Sequence, residues 1–103
     1  MYKISFFVPL DHAENVKQAV FKAGAGKMGD YAECSWETLG TGQFKPLEGS
    51  EPFIGSSNKL EYVQELKVEM ICQESVINKV VAVLKQTHPY EEPAYEVVKL
   101  ENF

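Results

Sequence analysis

Twice along this chain, a segment that alternates apolar and polar residues is followed by a segment with helical spacing and then by another alternating segment. In the first alternating segment Ile4, Phe6 and Val8 share one face, which is typical of a strand with one buried side. In the segment that follows, Val16 and Val20 recur at helical spacing. The order β-α-β and then β-α-β predicts an α+β, ferredoxin-like fold, with two helices on one face of a four-stranded antiparallel sheet.

The same patterns place the boundaries of the elements. We expect four main strands, over residues 2–8, 31–39, 60–73 and 95–100. Between the second and third of these, residues 40–59 mix Gly and Pro with aromatic residues, which indicates an ordered excursion that begins with a short strand around 43–45.

The two helices are expected over residues 13–23 and 76–87. Asp11 and Glu14 resemble a capping box at the first helix, and Ser75 is a candidate cap for the second. The glycine-rich stretch 24–29 fits G-x-G-x-x-G, but it closes a helix and precedes a strand. A dinucleotide site needs the reverse order, so we interpret this stretch as a helix C-cap and turn.

Charge and length exclude several classes of protein. The 103 residues suffice for one domain, 1–103, that folds without disulfides or metal. A net charge of -5 gives no electrostatic footprint for nucleic acid or for an anionic membrane. The first residues lack an apolar targeting stretch and no apolar run is long enough to span a bilayer, so we expect a cytoplasmic location.

The second strand carries a tryptophan and one of the chain's two cysteines. Alternation places Ala32, Cys34 and Trp36 on its buried face, and Cys72 on the buried face of the third strand. We therefore expect Trp36 to be largely buried and both cysteines to pack as small hydrophobes. A soft metal such as Cu(I) is conceivable only if the two cysteines sit side by side.

The string His-Pro-Tyr-Glu-Glu-Pro at 88–93 is the most distinctive in the chain. One imidazole beside two carboxylates can coordinate Zn, Cu or Mn or act as an acid/base pair, so His88, Glu91 and Glu92 are candidate metal ligands. With Tyr90 they are also candidate residues of an organic-ligand site. The structural alternative is a rigid turn fixed by two prolines. No catalytic residue is assigned, because no nucleophile elbow, P-loop or zinc-protease motif appears.

Six strings together resemble the ferredoxin-like insert domain of the Nif-three-like family, also called the GTP cyclohydrolase I type 2 family. They cover nearly the whole chain and are Gly24-Ala25-Gly26, Gly29-Asp30-Tyr31, Cys34, Gly40-Thr41-Gly42-Gln43-Phe44, Pro52-Phe53-Ile54-Gly55 and His88-Pro89-Tyr90-Glu91-Glu92-Pro93-Ala94. A His-Pro-Tyr-Glu string is also similar to one in the CutA divalent-ion-tolerance proteins, which look like trimeric relatives of the PII signalling fold.

The resemblance implies an accessory domain standing alone. The family's flanking halves, whose His and acidic residues hold a dinuclear metal site, are missing from these 103 residues, so neither hydrolase activity nor the cyclohydrolase name is expected to transfer. The resemblance also implies a homo-oligomer, a trimer in the first instance, formed through sheet edges and residues 40–59. Open sheet edges support this expectation, because association covers them.

Three hypotheses follow. The leading one is a non-enzymatic, oligomeric binding or regulatory module for a small-molecule or protein ligand. Its binding surface would lie between subunits, near residues 88–92 and the 40–59 excursion. The second is a divalent-metal-binding protein that uses His88 with Glu91 or Glu92, and the third is a small enzyme with His88 as general base.

Overall fold

Four strands form one antiparallel sheet, and two helices cover one of its faces. The structure is a computed structural model that describes residues 1–103. In chain order the elements are β1 (Tyr2–Pro9), a 3-10 turn (Leu10–His12), α1 (Ala13–Lys22), β2 (Trp36–Phe44), β3 (Glu61–Cys72), α2 (Ile77–Thr87) and β4 (Tyr95–Lys99). The predicted ferredoxin-like fold is confirmed.

The strands lie in the order β2-β3-β1-β4, and every neighbouring pair is antiparallel. β1 and β3 are therefore central, while β2 and β4 each have one unpaired edge. In the central pair Phe6 lies opposite Val68 and Ile4 lies opposite Met70. This register places the apolar residues of both strands on the same face, which is the condition for a common core.

The core lies between this apolar face and the two helices. Ile4, Phe6 and Val8 are completely buried, as is Val68 on β3. The helices add their apolar stripes, whose fully buried members are Val16, Val20, Val80 and Leu84. The predicted alternation of β1 and β3 and the predicted helical periodicities are thus all satisfied by one layer of packing.

Both helices begin within one residue of the predicted positions, but neither has the predicted cap. The chain leaves β1 through a 3-10 turn, and Asp11 makes no capping hydrogen bond to α1. Ser75 does not cap α2 either, since Val76 is the N-terminal flanking residue and has no side-chain bond. Backbone bonds within tight turns, such as Val76 N–H to the Gln73 carbonyl at 3.1 Å, shape these entries instead.

The glycine-rich stretch after α1 is the turn that was predicted. Gly24 has a φ of +118° and Gly26 a φ of +78°, values that residues with a side chain rarely adopt. A side chain at Gly26 would also meet the Cys34 carbonyl oxygen at 2.9 Å. The stretch brings the chain from α1 against β3, where Gly26 N–H donates to the Ile71 carbonyl at 2.9 Å.

The second strand differs from the prediction in both extent and facing. It begins at Trp36 rather than residue 31, and Gly40 and Gly42 do not interrupt it, so the short strand expected at 43–45 is its end. Trp36 pairs with Glu69, which faces away from the helices, and 64% of its surface is exposed. The prediction that Trp36 is buried is therefore wrong.

The reason is a facing shifted by one residue, which exchanges the two faces of a strand. Glu37, next to Trp36, faces α1 and pairs with Lys17 at 2.8 Å, and this hydrogen bond raises the pKa of Lys17. Cys34 lies before the strand and is half-buried, whereas Cys72 is buried as predicted.

Residues 45–60 connect β2 to β3 without regular secondary structure. Two turns shape the segment, with Ser50 N–H donating to the Leu47 carbonyl at 3.1 Å and Lys59 N–H to the Ser56 carbonyl at 3.2 Å. Pro46 is buried, while Leu47 and Phe53 are exposed. Elsewhere in the chain, neither helix has the length and apolar character needed to cross a bilayer.

Candidate binding cleft

The face of the sheet that the helices leave uncovered forms the floor of a cleft of about 860 Å³. Phe7 of β1 and Glu65, Lys67 and Glu69 of β3 line this floor. Residues 38–47 of β2 and of the segment after it, part of 50–54, and the turn at 90–94 supply the walls. We call this cavity the cleft. Two regions singled out in the sequence, the excursion and the turn after α2, therefore meet at one place.

His88 is the buried anchor of the turn. Only 5% of its surface is exposed, and its Nε2 lies 2.7 Å from the Phe7 carbonyl oxygen. The Nδ1 atom accepts a hydrogen bond from Tyr90 N–H at 3.1 Å. The bonding pattern specifies a neutral ring with its proton on Nε2. Burial lowers the pKa of His88, although the bond to Phe7 opposes this shift.

Tyr90 links the turn to the floor of the cleft. Its hydroxyl donates to Glu65 Oε2 at 2.7 Å, which joins residues 25 positions apart. Burial is the main cause that raises the pKa of Tyr90, and the bond to the Glu65 carboxylate acts in the same direction. The side chain is therefore a neutral phenol at physiological pH, fixed against the floor of the cleft.

Aromatic rings gather around Tyr90. The Phe44 ring at the end of β2 lies 5.9 Å from it, and the Phe53 ring lies 6.5 Å from it. The rings are tilted by 53° and 50° relative to Tyr90, so they do not stack flat on it. His12 meets Phe53 edge to face, with ring centres 5.2 Å apart. These rings make one wall of the cleft aromatic.

The rest of the floor is charged and largely paired. Lys3 Nζ lies 2.9 Å from the Glu69 carboxylate, and Lys67 lies 3.9 Å from the same group. The hydrogen bond from Lys3 lowers the pKa of Glu69. Lys67 also stands over the Phe7 ring, with its nitrogen 5.9 Å from the ring centre. Beneath these side chains the hydroxyl of Ser5 is fully buried and has no partner.

The candidate metal ligands are placed differently from one another. Glu91 is exposed and accepts a hydrogen bond from Glu51 N–H at 3.0 Å, which ties the turn to the 45–60 segment. Glu92 is exposed at the rim. No three His, Cys, Asp or Glu side chains come together as a metal centre would need. Both His88 nitrogens are already in hydrogen bonds, so a role as metal ligand or general base requires one to be released.

The two cysteines are both free thiols. Burial raises the pKa of Cys72, which keeps it in the unreactive thiol form. Its sulfur contacts the Gln73 carbonyl at 3.6 Å, and the Cys34 sulfur contacts the Ala32 carbonyl at 3.8 Å.

Of the four residues proposed for an organic ligand, Tyr90, Glu91 and Glu92 line the cleft and His88 supports it from below. The sequence reasoning missed Glu65, Phe44 and Phe53. Glu65 had a usable signal, because it shares a strand face with Lys67 and Glu69 in the alternation of β3. The positions of Phe44 and Phe53 depend on the path of an irregular segment, which no periodicity describes.

Known proteins are similar to this chain in sequence. No family model matches the chain. The protein named GTP cyclohydrolase 1 type 2 homolog from Halalkalibacterium halodurans is 50% identical over 102 residues, which is 99% of this chain and 27% of that protein. The chain therefore spans about a quarter of the length of the curated relatives it matches.

Solved structures give the same picture at the level of the fold. A Bacillus cereus protein related to NIF3 superposes with a TM-score of 0.83 at 42% identity, covering 98% of this chain and 26% of the other. The PII-like protein CutA from Nostoc sp. PCC 7120 superposes with a TM-score of 0.70 at 16% identity, covering 99% of this chain and 83% of the other. The second likeness concerns the fold alone.

Proposed function

Since nearly the whole chain matches a stretch that makes up about a quarter of the length of the Nif-three-like proteins named GTP cyclohydrolase 1 type 2 homolog, we propose that it is a non-enzymatic, oligomeric binding or regulatory module. The cleft on the open face of the sheet is its binding surface. The catalytic activity that the relatives' name suggests is not proposed for these residues, because no catalytic constellation is built from them.

One observation carries the proposal: the cleft is both large enough and ordered enough to hold a ligand. Its volume of about 860 Å³ lies within the range of about 300–1,000 Å³ typical of small-molecule sites. Its polar groups are held in place, since the bonds from Tyr90 to Glu65 and from Glu51 to Glu91 join three separate segments. A cleft that served only as a gap between elements would not need such fixed polar groups.

The experiment that tests the cleft is a fragment screen followed by NMR of the isotope-labelled chain. A ligand of the cleft shifts the backbone amides of the non-proline residues in 38–47 and 90–94 together. Leu84 and Val20 in the core report any global change and should stay constant. If a chemically diverse library produces no concerted shifts at those segments, the cleft is not a binding site and the proposal fails.

Association of several copies, a trimer in the first instance, is the second part of the proposal. Both edge strands carry exposed apolar residues, Leu39 and Trp36 on opposite faces of β2 and Val98 on β4. Unpaired edges of this kind invite pairing with another chain. A neighbouring copy seated on β2 would also form an outer wall of the cleft.

Trp36 is the only tryptophan and therefore reports directly on that edge. Sedimentation measures the mass, and acrylamide quenching of Trp36 measures its accessibility at the same concentrations. We expect a mass three times that of the chain, with quenching that weakens as the trimer forms. Leu39→Lys should reduce association, while Lys22→Glu on the solvent side of α1 should not. A monomer at all concentrations refutes this part.

The metal-binding alternative keeps a direct test. Thermal unfolding of the wild type and of His88→Ala is compared with and without Zn(II), Cu(II) and Mn(II). A metal that binds only the folded chain raises the midpoint, by the equivalent of about 2.7 kcal/mol at a hundredfold excess over its dissociation constant. Stabilisation of the wild type alone would make His88 a metal ligand, with Glu91 or Glu92 as partner.

A further inference from the structure

Two carboxylates on the floor of the cleft have different neighbours. They lie four residues apart on the same face of β3. Glu69 has two ammonium groups near it, those of Lys3 at 2.9 Å and Lys67 at 3.9 Å. Glu65 is also half-buried, yet no Lys, Arg or His nitrogen lies within 4.0 Å of it. Its one hydrogen-bond donor is the neutral hydroxyl of Tyr90.

A half-buried carboxylate has lost part of its hydration, and Glu65 has no neighbouring cation to compensate for that loss. The Glu65 side chain is nevertheless held in place. Its Oε2 accepts from Tyr90, and its carboxylate carbon lies 2.6 Å from where a Cβ on Gly42 would stand, so the absence of a side chain there leaves it room. The arrangement is that of a counter-ion placed for a positive group that the chain does not itself provide.

The wall beside Glu65 suits a cation as well. Phe44, Phe53 and Tyr90 all line the cleft, and the first two rings lie 5.9 and 6.5 Å from the Tyr90 ring with tilts of 53° and 50°. The face of an aromatic ring carries negative electrostatic potential and attracts a cation within about 6 Å. The same floor already shows this contact, because the Lys67 ammonium stands 5.9 Å from the centre of the Phe7 ring.

The charge of the cleft disfavours an anion. Four carboxylates line it, those of Glu65, Glu69, Glu91 and Glu92, against the two ammonium groups of Lys45 and Lys67. Lys67 is near both Glu69 and Glu96, at 3.9 and 4.0 Å, so its charge is already shared. Because the Tyr90 phenol stays protonated, it adds no charge of its own.

Resting on the proposed function, we infer that the ligand of the cleft is an organic cation, namely a protonated amine carried on an apolar or aromatic body. Glu65 accepts hydrogen bonds from the ammonium group, and Phe44, Phe53 and Tyr90 contact its methylene groups and its charge. The apolar body extends along the floor toward Phe7. A protonated amine fits better than a quaternary one, because only the former donates hydrogen bonds to the carboxylate.

Three small probes with the same phenyl body and two-carbon linker test this directly: phenethylamine, 2-phenylethanol and 3-phenylpropionate. Binding is followed by the amide shifts of residues 38–47 and 90–94 in the full chain. We expect the amine to bind about tenfold more tightly than the alcohol, and the carboxylate to bind least. Equal binding of alcohol and amine, or stronger binding of the carboxylate, overturns the inference while leaving the binding function intact.

Glu65→Gln removes the charge and keeps an acceptor for the Tyr90 hydroxyl, so the fold is preserved. It should abolish most of the preference for the amine over the alcohol. Glu92→Gln is the matched control, since it removes one negative charge from the exposed rim of the same cleft. Equal losses in the two variants would mean that a general field, and not Glu65, selects the cation, which overturns the assignment.

Phe53→Leu tests the aromatic wall separately. Phe53 is 53% exposed and lies outside the core, so the variant keeps the fold. It should weaken the amine by about threefold and the alcohol less, because only the amine loses a cation–ring contact. Absence of concerted shifts with any of the three probes at millimolar concentration refutes the cation inference, and the fragment screen then decides independently whether the cleft binds other ligands.

Discussion

The two faces of the sheet are built from alternate residues of the same strands, yet they are held together in different ways. Phe6 and Phe7 are neighbours on β1. Phe6 is completely buried among the helices, whereas Phe7 lies half-buried at the floor of the cleft beneath Lys67. The helix-covered face depends on non-directional burial of apolar surface, while the open face depends on a few directional bonds.

The comparison explains which face can carry function. The core tolerates few polar groups, because each would need a partner. The open face instead joins β1 at Phe7, β3 at Glu65 and the turn that holds His88 and Tyr90 through hydrogen bonds of 2.7–3.1 Å. The fold is therefore maintained by one face, and the other is free to be shaped for a ligand.

The largest expected effect is a difference in stability between substitutions at two adjacent positions that face opposite sides of the sheet. Phe6→Ala should lower the free energy of unfolding by about 4 kcal/mol, since it removes a fully buried ring and leaves a cavity. Phe7→Ala should cost less than half as much. Urea denaturation of both variants measures the difference, and equal losses would show that the open face contributes to stability as much as the core.

His88→Ala tests whether the open face has a structural anchor of its own. The substitution leaves the Phe7 carbonyl and Tyr90 N–H without partners and opens a small cavity, for an expected loss of about 2–3 kcal/mol. His12→Ala is the control, because His12 makes only an aromatic edge contact. If neither variant loses stability, the turn is held by its prolines alone.

The pH dependence of stability tests whether the fold keeps His88 neutral. Burial places the pKa of folded His88 below its value of about 6.5 in the unfolded chain, so below that pH the unfolded chain binds more protons. The stability from neutral His88 is complete above about pH 6.5 and is lost as the pH falls through the folded pKa.

The measurement is the free energy of unfolding of the wild type minus that of His88→Gln, from pH 8 to 4. Subtraction cancels the carboxylates, which titrate in both proteins. We expect this difference to fall on acidification, by no more than the loss caused by His88→Ala. A difference that is constant over this range would show that His88 is not held neutral by the fold.

Tyr90→Phe removes only a hydroxyl and should cost about 1 kcal/mol, because its bond to the half-buried Glu65 carboxylate is partly screened by solvent. Tyr62→Phe on the exposed end of β3 is the matched control and should be neutral. Thermal unfolding of the two variants gives the comparison. If both are neutral, the Tyr90–Glu65 bond orders the cleft without stabilising the fold.

Ser5→Ala should change the free energy of unfolding least, and it should stabilise the protein. Ser5 lies on the open face, yet it is fully buried and its hydroxyl has no partner. Removing it should raise the free energy of unfolding by about 0.5–1 kcal/mol. A loss of stability would mean that the hydroxyl has a partner in solution, such as a bridging water beneath Lys3 and Lys67.

The sequence predicted the covered face well and the open face poorly, for a physical reason. Burial imposes a period on β1, β3 and the helices, and a period can be read locally. β2 has exposed residues on both faces, with Gly40 and Gly42 in its centre, so its facing was wrong by one residue. The His-Pro-Tyr-Glu string marked the turn, but Glu65 joins it only through strand pairing across 25 residues.

The hydrogen bond from His88 to Phe7 has one more consequence. Phe7 N–H pairs with the Ala94 carbonyl at 3.3 Å, and β4 begins only at Tyr95, so the Phe7 carbonyl lies just past the end of the β1–β4 ladder. The imidazole takes the place of the missing strand residue there. Without it, β1 would offer an open rung to a foreign strand. We therefore expect His88→Ala to leave this carbonyl open to pairing with another chain, an effect separate from any ligand.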